Sequence, residues 1–168
     1  ISADLSALGR TPIAVVCSGA KSILDLAKTL EVLKSQNVLV IGFGTDSLPA
    51  FYARSCGLKL EHSVETPELA ARIFCCQREM SLDSAILIVN PIAEEFAIDW
   101  QELQDWTDKA EAEAALENIN GKTLTPYLLK RIGELSEGRT LVANQELAVD
   151  NARLAAQIAM AFAAEKGP

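Results

Sequence analysis

The chain has 168 residues, 49% of them apolar and 23% charged, with a formal net charge of -8. That balance suits one globular domain with a sizeable core and excludes a disordered chain. The acidic surface disfavours nucleic acid and anionic membrane as bulk partners, yet it permits a local basic pocket for a small phosphate.

The first strong β-type run is "PIAVVC", ending at Cys17, and "SGAK" follows it. The next stretch, Ser22 to Gln36, carries Ile23, Leu26, Leu30 and Leu33 at helical spacing, and Ser22 followed by Asp25 reads as its capping signal. "VLVIGF" is a second strand, short and continuously apolar as a strand buried on both faces should be. Pro67 opens a helix over "PELAARIFCCQREM" as a first-turn proline, and "AILIVN" is a further buried strand ending at Asn90 and Pro91. That pair is predicted to form a turn that shapes a pocket.

The second half is helical. Asp99 caps "WQELQDWTDKAEAEAALENIN", which Gly121 should end. Thr125 and Pro126 open a helix that Gly138 closes, and an alanine-rich helix runs from about Leu141 to Glu165. The alternation predicts an α/β fold: a mainly parallel sheet with flanking helices, followed by a C-terminal helical segment stacked on one end of the sheet. Residues 1–168 read as one domain.

Ligands of open parallel sheets bind beyond the carboxyl ends of the strands, and Lys21 follows the first of them. Gly19 permits a tight turn, and the predicted helix start would offer N–H groups to a phosphate. A cation at the positive end of a helix is destabilised, which lowers a lysine's pKa and favours its use as a nucleophile that forms a Schiff base. The plainer alternative is a surface lysine with its charge in water. A nucleotide P-loop does not fit, because Ala20 stands where the glycine before the lysine belongs.

The motifs then add a resemblance. "ISADLSALGRTPIAVVCSGAKSILDLAKTLEVL" is similar to the central block of the pseudouridine-5'-phosphate glycosidases. The likeness continues through "VLVIGFGTDSLPAFYARSCGL", "VETPELAARI", "LIVNPIAEEFAID", "GKTLTPYLLKRIGELSEGRTL" and "DNARLAAQIA", nearly the whole chain. It implies cleavage of the C–C glycosidic bond of pseudouridine 5'-phosphate to uracil and ribose 5-phosphate. It also implies a divalent metal, typically manganese (Mn2+), and an imine between C1' of the opened ribose and a lysine. By resemblance Lys21 is that catalytic nucleophile. Ser2, Ala3 and Asp4 match the family's substrate-binding segment, and Asn144 an active-site asparagine. The bland readings are local hydrogen bonding for Ser2, helix capping for Asp4 and a polar helix face for Asn144.

The sequence also departs from that family. "EMSLDSAILIVNP" stands where members have a glycine-rich segment, so Asp83 and Ser84 are expected to obstruct a close backbone approach. Members extend further at the N-terminus, where the resemblance places a proton-donating glutamate, a second substrate-binding lysine and a metal-binding aspartate. The chain begins at Ile1, so we expect a piece of a longer polypeptide, inactive alone, whose metal ligand lies outside it. The alternative is a non-catalytic sugar-phosphate-binding or oligomerisation domain. By resemblance the protein is a homotrimer.

The chain has no apolar run of transmembrane length and no recognisable secretory signal, and a targeting signal would lie outside it. Cys17, Cys56, Cys75 and Cys76 show no CxxC spacing, and His62 is the single histidine. This predicts thiols in the cytoplasm or another reducing compartment, and no zinc site. Trp100 and Trp106 are expected in ordinary packing, and "DKAEAEAALE" on a solvated helix face.

Overall fold

The computed structural model describes residues 3–165. A short helix α1 (Ala3–Leu8) precedes strand β1 (Ala14–Cys17), helix α2 (Leu26–Ser35), strands β2 (Leu39–Phe43) and β3 (Ser63–Val64), helix α3 (Pro67–Glu79) and strand β4 (Ile86–Val89). Helices α4 (Trp100–Leu116), α5 (Leu124–Leu135) and α6 (Arg139–Glu165) complete the chain. The strands form one parallel sheet in the order β1-β4-β2-β3, the architecture expected from the three continuous apolar runs.

Period-two alternation sorts the sheet into two cores. Ala14, Val16, Leu39, Ile41, Ile86 and Ile88 face α3 and the C-terminal half of α6, in a cluster with Leu154 and Ile158. Val15, Cys17, Val40, Leu87 and Val89 face the other way, into a cluster with Leu26, Leu33, Leu103 and Leu128 of α2, α4 and α5. The register aligns Val16 with Ile88 and Ile88 with Ile41, so each row across the sheet serves one core. Central β4 is buried along its whole length. Each of its isoleucines contributes roughly 1.5–3 kcal/mol by the usual scale of side-chain burial.

Helix starts follow their caps. Pro67 opens α3 and the Asp99 carboxylate accepts from Gln101 N and Glu102 N at the start of α4, both as predicted; the α3 cap itself is Thr66, whose hydroxyl accepts from Leu69 N. Helix α2 begins later than expected. Ser22 does not cap it; a turn closes from Leu24 N to the Lys21 carbonyl, and the Asp25 carboxylate then accepts from Lys28 N at 2.9 Å. Helix α4 stops at Leu116, short of Gly121, because Asn118 takes the left-handed conformation and Ile119 N bonds back to Ala114. Helix α6 lies against α3 and β1 and does not stack on one end of the sheet, because its Leu154 and Ile158 need the isoleucine face.

Trp100 and Trp106 pack against the core, as expected. Arg139, at the start of α6, lies 5.2 Å from the Trp106 ring and donates to both carboxylate oxygens of Glu102, tying α6 to α4. The acidic run on α4 is only partly a solvated face. Glu113 accepts from Arg131 Nε at 2.5 Å and Nη2 at 3.0 Å, clamping α4 to α5.

The hydrogen bond from Arg131 holds the Glu113 carboxyl below its ordinary 4.5. A carboxylate depressed in this way stabilises the fold above its unfolded pKa, and that contribution is lost as pH falls through the folded value. Glu113→Gln is therefore expected to lower the melting temperature at pH 7 by about 1–3 °C. The gap should begin to narrow as the pH falls past the ordinary carboxylate value of about 4.3 and close once Glu113 is protonated in the folded protein too; a gap indifferent to acid would make the clamp steric, not ionic.

Candidate active site

At the carboxyl edge of the sheet, β1 ends in Cys17, whose thiol is pushed up by burial, and passes into Ser18, which is 1% exposed. Gly19 follows with φ 81, a conformation that L side chains rarely adopt. A Cβ there would fall on the Pro49 carbonyl. Ala20 and Lys21 then leave the sheet in a loop that ends at the Asp25 cap.

Lys21 is exposed, and among the described residues no carboxylate forms a salt bridge with it. It stands five positions before α2, so the proposed destabilisation by a helix end does not apply. The start of the loop is held by backbone bonds to another segment. Gly19 and Ala50 form a backbone bridge, and Phe51 N donates to the Ser18 carbonyl at 2.9 Å. The segment between β2 and β3 thus forms a wall against the residues that lead to Lys21. Arg54 of the same wall donates to the Ile92 carbonyl at 2.5 Å, just beyond β4.

A polar network sits beside this turn. Asn90, 7% exposed, donates from its backbone to the Cys17 carbonyl at 2.7 Å and so joins the ends of β4 and β1. Its Nδ2 donates to Asp150 Oδ2 at 3.0 Å and to Asn151 Oδ1 at 3.2 Å. Asn151 Nδ2 donates to Ser18 Oγ at 3.0 Å, and Arg153 holds the other Asp150 oxygen at 2.9 Å. Helix α6 therefore grips the ends of both strands with side chains that would otherwise be costly to bury.

The residues named from the sequence are placed unevenly. Lys21 lies on the carboxyl edge, beyond the turn that the network holds. Asn90 is there too, as a hydrogen-bonding hub; neither it nor Pro91 lies in the turn expected from the sequence, because its bonds to the Cys17 carbonyl, Asp150 and Asn151 hold it in line with β4. Asn144 is exposed on α6, seven residues before Asn151; this is two turns, or ~10 Å, along nearly the same helix face. Its neighbours Ala143 and Leu147 pack with Ile92. Asp4 is exposed in the first turn of α1, whose last residue, Leu8, accepts from Ala85 N at the amino edge of β4. Ala3 begins that helix, and Ser2 lies outside the described residues.

Sequence reasoning missed Ser18, Asp150 and Asn151. The available signal was an Asp-Asn pair in the middle of an alanine-rich helix, where neither residue favours helical structure. Asp83 and Ser84 do not border the Lys21 turn. They precede β4 at its amino edge, about 13 Å of strand away from Lys21's edge. Ser84 is buried, its carbonyl and hydroxyl both accepting from Gln77 Nε2.

Among the described residues no group of three or more His, Cys, Asp or Glu side chains is placed to hold a metal ion. The one carboxylate of the network, Asp150, is engaged by Asn90 and Arg153. The described donor set does not fit the manganese that the resemblance implies. No helix among the described residues is long and apolar enough to cross a membrane.

The model of one family, described as indigoidine synthase A like protein, matches residues 1–161. A pseudouridine-5'-phosphate glycosidase of Sorangium cellulosum is 47% identical over 162 residues, covering 96% of this chain and 51% of the relative. One from Caldanaerobacter subterraneus is 48% identical over 160 residues, covering 95% and 52%. The chain thus spans about half the length of the curated relatives it matches. Among solved structures, the prealnumycin C-glycosynthase AlnA in complex with ribulose 5-phosphate superposes with a TM-score of 0.93 at 32% identity, over 99% of this chain and 55% of that one. An indigoidine synthase A-like protein of Thermotoga maritima gives 0.84 at 35% identity, over 95% and 52%.

Proposed function

Because the chain belongs to the family of indigoidine synthase A like proteins, we propose that it is the lysine-bearing part of a pseudouridine-5'-phosphate glycosidase. The names of its curated relatives support this reading. The observation that carries it is structural: Lys21 stands at the carboxyl edge of β1, on a turn fixed by Gly19 and backed by the Ser18–Asn90–Asn151 network. A sugar phosphate is the substrate class, in keeping with the ribulose 5-phosphate held by AlnA.

In the proposed reaction, the neutral Lys21 nitrogen bonds to C1' as the C1'–O4' bond opens, and O4' takes the proton that the nitrogen then loses. The nitrogen lone pair then forms the C1'=N bond while the C1'–C5 electron pair leaves with uracil, which takes a proton at C5. Water hydrolyses the imine, releasing ribose 5-phosphate and the lysine. A C–C bond offers no leaving-group oxygen to protonate, so a pair of carboxylates does not suffice and a covalent electron route is needed. The exposed position of Lys21 gives the substrate access to it. Asn144, on the same face of α6 as Asn151, is proposed to contact substrate, as are Ser2, Ala3 and Asp4. The proton donor and the manganese ligand are proposed to come from the part of the relatives that this chain does not span, in a homotrimeric assembly within a reducing compartment. Alone, the chain is then expected to turn over little substrate.

The second reading is a non-catalytic sugar-phosphate-binding or oligomerisation domain, which the SLDSA segment in place of the family's glycine-rich one favours. Borohydride reduction in the presence of ribose 5-phosphate, followed by peptide mapping, separates the two. A sugar adduct at Lys21 supports the glycosidase reading. No adduct, with or without the remainder of a relative, supports the binding domain.

A further inference from the structure

Among the described residues, five other than glycine hold a positive φ: Asn37, Phe51, Ser81, Asn118 and Glu137. Four of them stand two positions beyond the last residue of α2, α3, α4 or α5, where a left-handed residue is a common way to stop a helix. Phe51, at φ 61, follows no helix. Ala50 N donates to the Ala53 carbonyl at 2.9 Å and Ala53 N returns a bond to the Ala50 carbonyl at 3.3 Å, so Phe51 and Tyr52 are the central pair of a two-residue turn. A positive φ at the first of the pair and not at the second marks a type II′ turn, whose first central position favours glycine. A bulky side chain there costs stability and persists only where its surroundings hold it.

The surroundings do hold it. Phe51 N donates to the Ser18 carbonyl at 2.9 Å, Ile98 N donates to the Tyr52 carbonyl at 2.8 Å, and Arg54 donates to the Ile92 carbonyl. The turn is thus tied to the end of β1, to the segment before α4 and to the segment after β4. The Phe51 side chain packs against Ile92, Ala143 and Leu147. Its ring meets the Tyr52 ring at 75° with centroids 4.8 Å apart, a contact that covers at most one face. Phe51 stays partly exposed. It therefore bridges the turn that leads to Lys21 and the stretch of α6 that carries Asn144.

We propose that Phe51 determines specificity for the aglycone: its ring is the platform on which the planar pyrimidine of the substrate stacks while C1' meets Lys21. This role rests on the glycosidase reading for the identity of the ring. The base is bonded directly to C1', so a nucleophile that reaches C1' has the base one bond from the reacting atom. Phe51 is an aromatic residue bonded through its own backbone to the segment that leads to Lys21. Stacking on an aromatic face suits uracil, which is planar, and gives nothing to a bare sugar phosphate. A use for the ring accounts for phenylalanine in a position that favours glycine.

Calorimetry with pseudouridine 5'-phosphate and with ribose 5-phosphate tests it, in a Lys21→Ala background so that neither ligand is held covalently. The background protein should prefer the nucleotide. Phe51→Gly should cut that preference about tenfold, the scale of one base stacked on an aromatic ring, and leave ribose 5-phosphate binding unchanged. Its melting temperature should stay within about 4 °C of the background, because glycine relieves the turn as the packing of the ring is lost. Phe51→Tyr should keep the preference. Phe51→Leu, which retains bulk and the strained backbone, should lose it, so the outcome does not depend on the glycine variant folding. A merely structural residue would weaken both ligands together. Three results would overturn the proposal: no preference for the nucleotide in the background protein, a preference unchanged in the glycine and leucine variants, or an equal loss for both ligands. Borohydride capture with Lys21 in place is read separately. Capture without a Phe51-dependent preference overturns this proposal alone, and a Phe51-dependent preference without capture overturns the glycosidase reading alone.

Discussion

Replacing Lys21 by alanine is expected to abolish covalent capture of ribose 5-phosphate while leaving the melting temperature within about 2 °C of the parent, as for other exposed substitutions. The side chain is exposed and has no salt-bridge partner among the described residues, so its removal strands no buried group. The turn before it is held by the Gly19–Ala50 bridge and by the bond that Phe51 N donates to the Ser18 carbonyl, neither of which involves the ammonium. Lys21→Arg should fail equally, because a guanidinium stays protonated and forms no imine. Mass mapping after borohydride reduction, paired with a thermal melt, reads both halves of the prediction. Unfolding of the alanine variant would make Lys21 structural, and an arginine variant that still captures sugar would rule out the covalent route.

Gly19→Ala should do the reverse, damaging the fold and the capture together. The left-handed conformation costs an L-residue roughly 1–2 kcal/mol. The added methyl would also fall on the Pro49 carbonyl, and overpacking of this kind costs about 1–3 kcal/mol. The combined effect corresponds to a fall in melting temperature of roughly 5–15 °C for a chain of this size. The relief route is for the loop to swing away from the wall, which breaks the Gly19–Ala50 bridge and carries Lys21 off its position. Capture should therefore drop even in the folded fraction at low temperature. A variant with parental stability and parental capture would show that the turn is set elsewhere.

Much of the fold was legible because strands buried on both faces leave continuous apolar runs, and β1, β2 and β4 do so. The starts at Pro67 and Asp99 were legible because a helix entry is a local contest that sequence neighbours decide. The α2 cap was misread for the same reason. Ser22 and Asp25 are both competent, and the carboxylate at Asp25 wins once Ser22 is drawn into the turn at Lys21. Strand β3 was invisible, since two residues have no periodicity and their conformation comes from pairing with Gly42 and Phe43. The network was hidden by distance along the chain. Ser18 and Asn151 are 133 positions apart, and each is unexceptional until the fold brings them together. Lys21 was found by its place after a strand, although the reason first given for its reactivity, a helix end, belongs to a helix that starts later.

The 27-residue helix α6 works as a ruler. Its first turns rest on Ile92, its middle pins the strand ends through Asn151, and its last turns fill the isoleucine face. One inserted residue anywhere between Leu147 and Asp150 would rotate everything beyond it by 100°. Asn144 and Asn151 would then no longer share a face, and one end of the helix would lose its seat. Single substitutions along α6 can be absorbed locally, whereas a change in its length cannot. The wall between β2 and β3 is bonded to the Lys21 turn through Ala50 and Phe51, so a change in its length would be felt at that turn and not along the ruler.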